Sequence, residues 1–320
     1  MKFLASALCL LFACASLHAQ TTLWQPSPGH TQIPIWPHTP PDLQKVDGPE
    51  RAETDNDPRH FIAGKPATAI YNVTRPTMTV YSPKSHNTGA AVVVFPGGGY
   101  EILAIDLEGT EVCDWLVQKG ITCIVLKYRV PAPHKTHYWG AYPESPIALE
   151  DAQRAIGLVR LHAAEWHIDP HKVGVLGFSA GGHLVVASSV HIARVYKPID
   201  AADKLSCRPD FVVAIYPGHL SFGDKLLTHP RLNPDIAAHL TKNAPPTFIL
   251  QNEDDHVDGI NQSLVYYIAL KNAGVPAELH IYAQGGHAFG LRPTKLPATH
   301  WPVLVETWLN TLGITGPIGS

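Results

Sequence analysis

The sequence predicts a single α/β domain, with a mostly parallel central sheet covered by helices on both faces. From about residue 67 onward, short apolar, β-branched runs alternate with segments of helical periodicity. Most of those runs are nearly continuous in apolar character, as strands buried on both faces should be. The composition, 45% hydrophobic and 16% charged over 320 residues, suits one sizeable core. Alternating strands and helices imply right-handed crossovers and hence parallel pairing.

Taken in order, the chain opens with an export signal over residues 1–19. Lys2 supplies the positive start, Phe3 to Leu17 an apolar stretch too short to span a bilayer comfortably, and Ala19 a small residue for cleavage before Gln20. This predicts a secreted or periplasmic protein. Leu11-Phe12-Ala13-Cys14 also has the outline of a lipoprotein site, although Phe12 is bulky for that role, so lipidation at Cys14 ranks second. No other apolar run approaches the length of a membrane span. Residues 20–66 read as a proline-rich extension packed on the domain, because proline fixes φ and removes a donor. Ile33, Ile35 and Trp36 are its candidate anchors.

Residues 67–320 form the expected catalytic domain. Thr77 to Tyr81, Ala90 to Phe95, Ile121 to Tyr128, Val173 to Phe178, Phe211 to Tyr216, Thr247 to Gln251 and Glu278 to Tyr282 read as strands. Glu108 to Lys119, Ile147 to Trp166, Gly181 to Val195, Gln262 to Ala273 and Trp301 to Leu312 read as helices. In the second, Ala148, Ala152, Ala155, Ile156 and Val159 fall close to one face.

A formal charge of −3 has no basic excess and points away from a nucleic-acid partner. Beyond the signal, the cysteines are Cys113, Cys123 and Cys207, without metal-like spacing. Cys123 lies in an apolar run and reads as a packed core thiol, with room for one disulfide at most. The 19 histidines include His162, His167 and His171, and also His134 and His137, but none forms H-E-x-x-H. The expectation is therefore no metal.

In open parallel sheets, ligands sit beyond the carboxyl ends of the strands, and the chemistry-bearing residues of this chain cluster at such ends. Gly177-Phe178-Ser179-Ala180-Gly181 fits G-x-S-x-G between a strand and a helix. A sharp turn there exposes the serine, and flanking glycines let the two backbones approach. A serine hydroxyl needs a base, and His287 stands on the glycine-rich loop after the last strand. The imidazole in turn needs a carboxylate, for which the loop after Gln251 offers Glu253, Asp254, Asp255 and Asp258. Serine, acid and histidine follow one another in that chain order. Pro96-Gly97-Gly98-Gly99-Tyr100 closes another strand, and the amides of Gly98 and Gly99, with that of Ala180, are candidate oxyanion donors. Neither G-x-x-x-x-G-K-[ST] nor G-x-G-x-x-G is present in that loop, so no cofactor is implied. His183 reads as packing beneath the serine turn. Asp106 and Glu108 read either as pocket lining or as helix-start acids. Tyr100, Tyr138, Trp139 and Tyr142 are candidate substrate contacts; the last three lie on a loop where they could stack on a sugar or plug the loop onto the domain. The stretch from Gly218 to Pro234 is a second candidate specificity wall.

With Pro96 to Tyr100, Leu126-Lys127-Tyr128-Arg129, Gly177 to Leu184, Glu253-Asp254-Asp255 and Ala269 to Pro276 leading on to Gly285-Gly286-His287, the chain resembles secreted bacterial acetylxylan-esterase-like hydrolases. These stand within the wider carboxylesterase and hormone-sensitive-lipase-like group. Ile35-Trp36-Pro37 is similar to a Trp-Pro element that often opens such proteins. The resemblance implies an α/β-hydrolase fold and a Ser-His-Asp mechanism. It selects Asp254, three residues before Val257, as the acid. Pro96 departs from the histidine that many carboxylesterases carry there, which weakens the link to the lipase-like branch. Together with export, the resemblance implies hydrolysis of short-chain, chiefly acetyl, esters on xylan or related fragments. The expected partner is a small or oligosaccharide ester. The alternatives are a general short-chain carboxylesterase, a prolyl-oligopeptidase-like peptidase and a non-catalytic binding protein.

Overall fold

A computed structural model describes residues 23–43, 46, 48–130, 140–222 and 229–316. The strands are β1 (Ile33–Pro34), β2 (Arg51–Asp55), β3 (Ala67–Tyr71), β4 (Thr77–Tyr81), β5 (Ala91–Phe95), β6 (Ile102–Ala104), β7 (Thr122–Lys127), β8 (Val173–Phe178), β9 (Val212–Ile215), β10 (Ser221–Phe222), β11 (Arg231–Leu232), β12 (Thr247–Asn252) and β13 (Ala277–Tyr282). The α-helices are α1 (Glu111–Gln118), α2 (Ile147–Leu161), α3 (Ala180–Val190), α4 (Pro234–His239), α5 (Asn261–Ala273) and α6 (Trp301–Thr311).

Eight strands form the main sheet in the order β1-β4-β7-β5-β8-β9-β12-β13. β1 and β4 run antiparallel at one edge, and every pairing from β7 to β13 is parallel. The apolar runs are buried as their composition demands: β5, β7, β8, β9 and β12 are buried along their whole length. β13 is the exception, partly exposed because it is the far edge. α1 and α6 meet on one face, where the Trp115 indole donates to Glu306 (2.9 Å) and its ring meets Trp301. α2, α3 and α5 pack on the other, Ser189 of α3 facing Tyr266 of α5. The sheet therefore has helices on both faces and the fold is that of an α/β-hydrolase, in one domain.

Several local outcomes differ from the sequence expectation, among them the helix expected to run to Trp166, which ends at Leu161. The helix expected from Glu108 starts as a single π turn, Asp106–Thr110, before α1. The helix expected to run to Val195 stops at Val190, because the buried Gln153 amide takes the carbonyls of His191 and Ala193 (2.8 and 2.9 Å), holding the chain off its helical course. Cys123, expected as a packed core thiol, is joined to Cys113, tying β7 to α1, and among the described residues Cys207 is the buried free thiol. The apolar run around Cys123 hid the pairing, since α1 is itself amphipathic and presents Cys113 to the same core.

The N-terminal extension is stitched into the domain. β1 pairs with β4, and β2 joins β3 and β6 in a small separate sheet. Trp36 is buried and donates its indole N–H to Asp151 (2.7 Å), while Arg154 donates to the Ile35 carbonyl (2.8 Å). Beside them, Arg129 is sunk between Glu150 and Asp151, with both acids fully buried. Removing one partner from such a group strands a buried charge, so it holds extension and helix in one register. Residues 1–22, with the expected signal and Cys14, lie outside the described residues. No described helix is long and apolar enough to cross a membrane.

Candidate active site

Ser179 sits at φ 52°, ψ −119°, between the end of β8 and the start of α3. A non-glycine residue in this left-handed region costs on the order of 1–3 kcal/mol and is held only where its surroundings over-determine it. Here they do. A Cβ at Gly177 would stand 2.2 Å from the Gly181 carbonyl oxygen, and one at Gly181 would stand 2.1 Å from that of Phe95. The two glycines let strand and helix close tightly, and the serine hydroxyl is turned out of the bend.

His287 arrives from the loop after β13 and directs Nε2 to Ser179 Oγ at 2.9 Å. Its Nδ1 is 2.7 Å from Asp255 Oδ2. The acid beside the imidazole is thus Asp255, which corrects the expectation of Asp254. Neighbouring residues leaving a strand point in opposite directions, and only one of the two can face the imidazole. Asp255 is clamped in this position by three donors. Gln251 Nε2 donates to its Oδ2 (2.9 Å), and the amides of Val257 and Asp258 donate to its Oδ1 (both 2.9 Å). Asp254 instead accepts the amides of Gly285 and Gly286 (2.9 and 2.8 Å), bracing the loop that carries His287. Glu253 is exposed. Asp258 lies on the serine side of the ring, 3.4 Å from Ser179 Oγ and 3.8 Å from His287 Nε2.

The electrostatics suit a base. Burial opposes the imidazolium of His287, but the hydrogen bond and charge of Asp255 outweigh it, with Asp258 and Glu108 adding, and its pKa stands above the ordinary 6.5. Burial, joined by the charge of Asp255, pushes the Asp258 carboxyl up to about 6 against the pull of His287.

The glycine loop lies beside the serine turn. Gly98 and Gly99 adopt φ 131° and 64°, and a Cβ at Gly98 would stand 2.3 Å from the Ile102 carbonyl oxygen. The Gly97 amide donates to Glu108 Oε2 (2.8 Å) and so is not free to meet a substrate oxygen. Ala180 opens α3, where a first-turn amide has no intrahelical acceptor.

Sequence reasoning did not foresee what binds these loops together. Glu108 is buried, and its other oxygen accepts the Tyr216 hydroxyl (2.9 Å), which in turn accepts the Gly290 amide (3.0 Å). The Tyr216 ring packs against His287 at 4.9 Å between centroids. One carboxylate thus connects the glycine loop to the histidine loop, and the π turn is what turns it inward. Asp106, the other acid of that turn, instead accepts the amides of Thr68 and Leu107. Nothing in residue spacing signals a pairing between positions so far apart in the chain.

Other expected contacts fall elsewhere. Tyr100, a candidate substrate contact, is 1% exposed and its hydroxyl pairs with Nδ1 of the buried His183 (2.7 Å), so its side chain packs into the interior. Burial first, then the neighbouring His219 and His191, hold the His183 pKa far below 6.5, so it stays neutral. Tyr142 packs on His191 at the far end of α3, roughly 16 Å of helix from Ser179, and is not brought to the site. Tyr138 and Trp139 lie outside the described residues, as do His134 and His137. His162 is paired with Glu165 at the surface. His191, Asp235 and His239 converge at that same far end of α3, with His191 Nε2 2.9 Å from Asp235, as a hydrogen-bonded cluster remote from the serine. A cavity of about 930 Å³ lies against the extension beside Trp24, Glu50 and Lys127 and holds none of these reacting groups.

The comparisons agree with the fold. The BD-FAE family matches residues 78–217 and the prolyl oligopeptidase family residues 149–301. An acetylxylan esterase of Xylanibacter ruminicola is 33% identical over 67% of this chain and 43% of its own length. Endo-1,4-β-xylanase B of Butyrivibrio fibrisolvens is 29% identical over 61% of this chain and 32% of its own. The chain thus spans less than half the length of these two curated relatives. Among solved structures, the acetyl ester-xyloside bifunctional hydrolase of Caldicellulosiruptor lactoaceticus is 33% identical, with a TM-score of 0.68 over 89% of this chain and 97% of that one. With that degree of identity over nearly the whole of a solved structure, the chain belongs to the acetylxylan-esterase-like family of α/β-hydrolases.

Proposed function

We propose that this protein is a serine esterase that removes short acyl groups, chiefly acetyl, from xylan or related fragments. The observation that carries the reading is the continuous line from Asp255 through His287 to Ser179, at 2.7 and 2.9 Å, contributed by loops after three different strands. In this mechanism His287 takes the Ser179 proton as Oγ attacks the ester carbonyl, and the amides of Gly98, Gly99 and Ala180 receive the oxyanion. Asp255 holds the imidazole with Nδ1 protonated and stabilises the cation formed. His287 then protonates the leaving alcohol. Water, deprotonated by the same imidazole, releases the acid from the acyl-serine.

The names of the relatives, an acetylxylan esterase and an acetyl ester-xyloside bifunctional hydrolase, support the substrate class. Export is part of the proposal, supported by the N-terminal pattern and by the Cys113–Cys123 disulfide, a bond that persists in oxidising compartments. The test is hydrolysis of p-nitrophenyl acetate, longer acyl esters and acetylated xylan, each beside Ser179→Ala. Acetate released from xylan by the wild type and not by the variant is the expected result. Turnover of small esters alone would replace it with a general carboxylesterase, and turnover by Ser179→Ala near that of the wild type would remove Ser179 from the mechanism.

A further inference from the structure

Asp258 plays no part in the acyl transfer just described, yet it stands beside the reacting atoms. Asp255 already occupies the Nδ1 side of the imidazole, and Asp258 Oδ2 lies on the opposite side, 3.4 Å from Ser179 Oγ and 3.8 Å from His287 Nε2. The position is built. The Asp258 amide donates to Asp255 (2.9 Å) and its carbonyl accepts Gln251 Nε2 (2.7 Å), which fixes the backbone under the side chain. Opposite, Gly218 leaves the room the carboxylate fills: a Cβ there would stand 2.6 Å from each oxygen. The side chain keeps 17% exposure beside the reacting atoms.

A carboxylate in this place is a liability for ester hydrolysis as such, because negative charge develops on the substrate a few ångströms away. It becomes an advantage when the substrate brings a donor. The leaving oxygen must come within hydrogen-bond reach of His287 Nε2 to be protonated. A hydroxyl on the carbon next to the ester-bearing carbon then falls within reach of Asp258 Oδ2. An alkyl or aryl alcohol has no such hydroxyl and offers the partly desolvated carboxylate no donor.

We propose that Asp258 is a specificity residue that accepts a hydrogen bond from a free hydroxyl adjacent to the ester being cleaved. The protein would accordingly favour singly acetylated sugar units, whose neighbouring hydroxyl is free, over doubly acetylated ones. This rests on the esterase reading of the same site.

The test compares 1-acetylglycerol, which carries the adjacent hydroxyl, with propyl acetate, which lacks it. A site built to bind a hydroxyl discriminates strongly against the analogue without one, so kcat/KM should favour acetylglycerol by on the order of tenfold or more. In Asp258→Ala the ratio between the substrates should collapse toward one, and in Asp258→Asn, which keeps one acceptor oxygen, it should fall part of the way. A ratio near one in the wild type, or a ratio that survives both substitutions, would overturn the role of Asp258 and leave the esterase reading standing. Loss of turnover on both substrates in the wild type would overturn the esterase reading and this inference with it.

Discussion

The exchange of roles between two neighbouring aspartates can be tested by removing one charge at a time. In Asp255→Asn the backbone amides of Val257 and Asp258 can still donate to the remaining carbonyl oxygen, so the loop keeps its shape. The amide nitrogen then faces His287 Nδ1, where the oxygen stood at 2.7 Å. Two donors cannot share that contact, so the imidazole must keep Nδ1 bare and carry its proton on Nε2. Nε2 is the atom 2.9 Å from Ser179 Oγ, and once protonated it cannot accept the serine proton. The same tautomer error in a serine protease costs about 10⁴ in kcat, and a loss of about 10³ to 10⁴ is expected here with KM nearly constant. Asp254→Asn retains an oxygen able to accept the Gly285 and Gly286 amides, so its loss should stay below about tenfold, the cost of a slightly looser loop. The assay is steady-state hydrolysis of p-nitrophenyl acetate by both variants, with circular dichroism to confirm folding. A thousandfold loss in Asp254→Asn beside a mild one in Asp255→Asn would refute the assignment.

Further outcomes follow from the same contacts. Catalysis needs neutral His287, and its pKa is raised, so kcat/KM should fall as pH drops through a midpoint above 6.5; a wild-type midpoint at or below 6.5 would contradict this. Asp258 adds to that elevation, so Asp258→Asn should move the midpoint down, as read from the pH–rate profile. Glu108→Ala leaves the Gly97 amide and the Tyr216 hydroxyl without their buried acceptor and should cost about 2–4 kcal/mol in urea unfolding, with a lowered kcat; Glu108→Gln should recover part of both. Replacing Cys113 and Cys123 by serine opens a loop of 10 residues' separation and should lower stability by about 2–3 kcal/mol while leaving KM near that of the wild type.

From the sequence alone came seven strands of the main sheet and five of the helices in chain order, and the serine and histidine that the fold brings together. The edge strand β1, the small sheets and α4 were not foreseen. Burial on both faces forces continuous apolar runs in strands such as β5 and β8, so the core is written locally. The bend at Ser179 needs glycines on either side within the same few residues, so it too is local information. The third group was not. Asp254 and Asp255 are chemically identical neighbours, and which one meets His287 depends on the direction in which β12 ends and on a loop that follows β13, with His287 32 positions beyond Asp255 in the chain. Glu108 and Tyr216 show the same limit. Their contact spans 108 positions, and it exists only because the sheet brings the ends of β5 and β9 to one edge while a π turn rotates the carboxylate inward. Asp258 was legible as one acid among four, but only the packed site puts its carboxylate on the serine side of the imidazole. Periodicity and turn chemistry act between near neighbours in the chain, whereas the orientation of a buried charge is set by whichever partners the completed fold places against it.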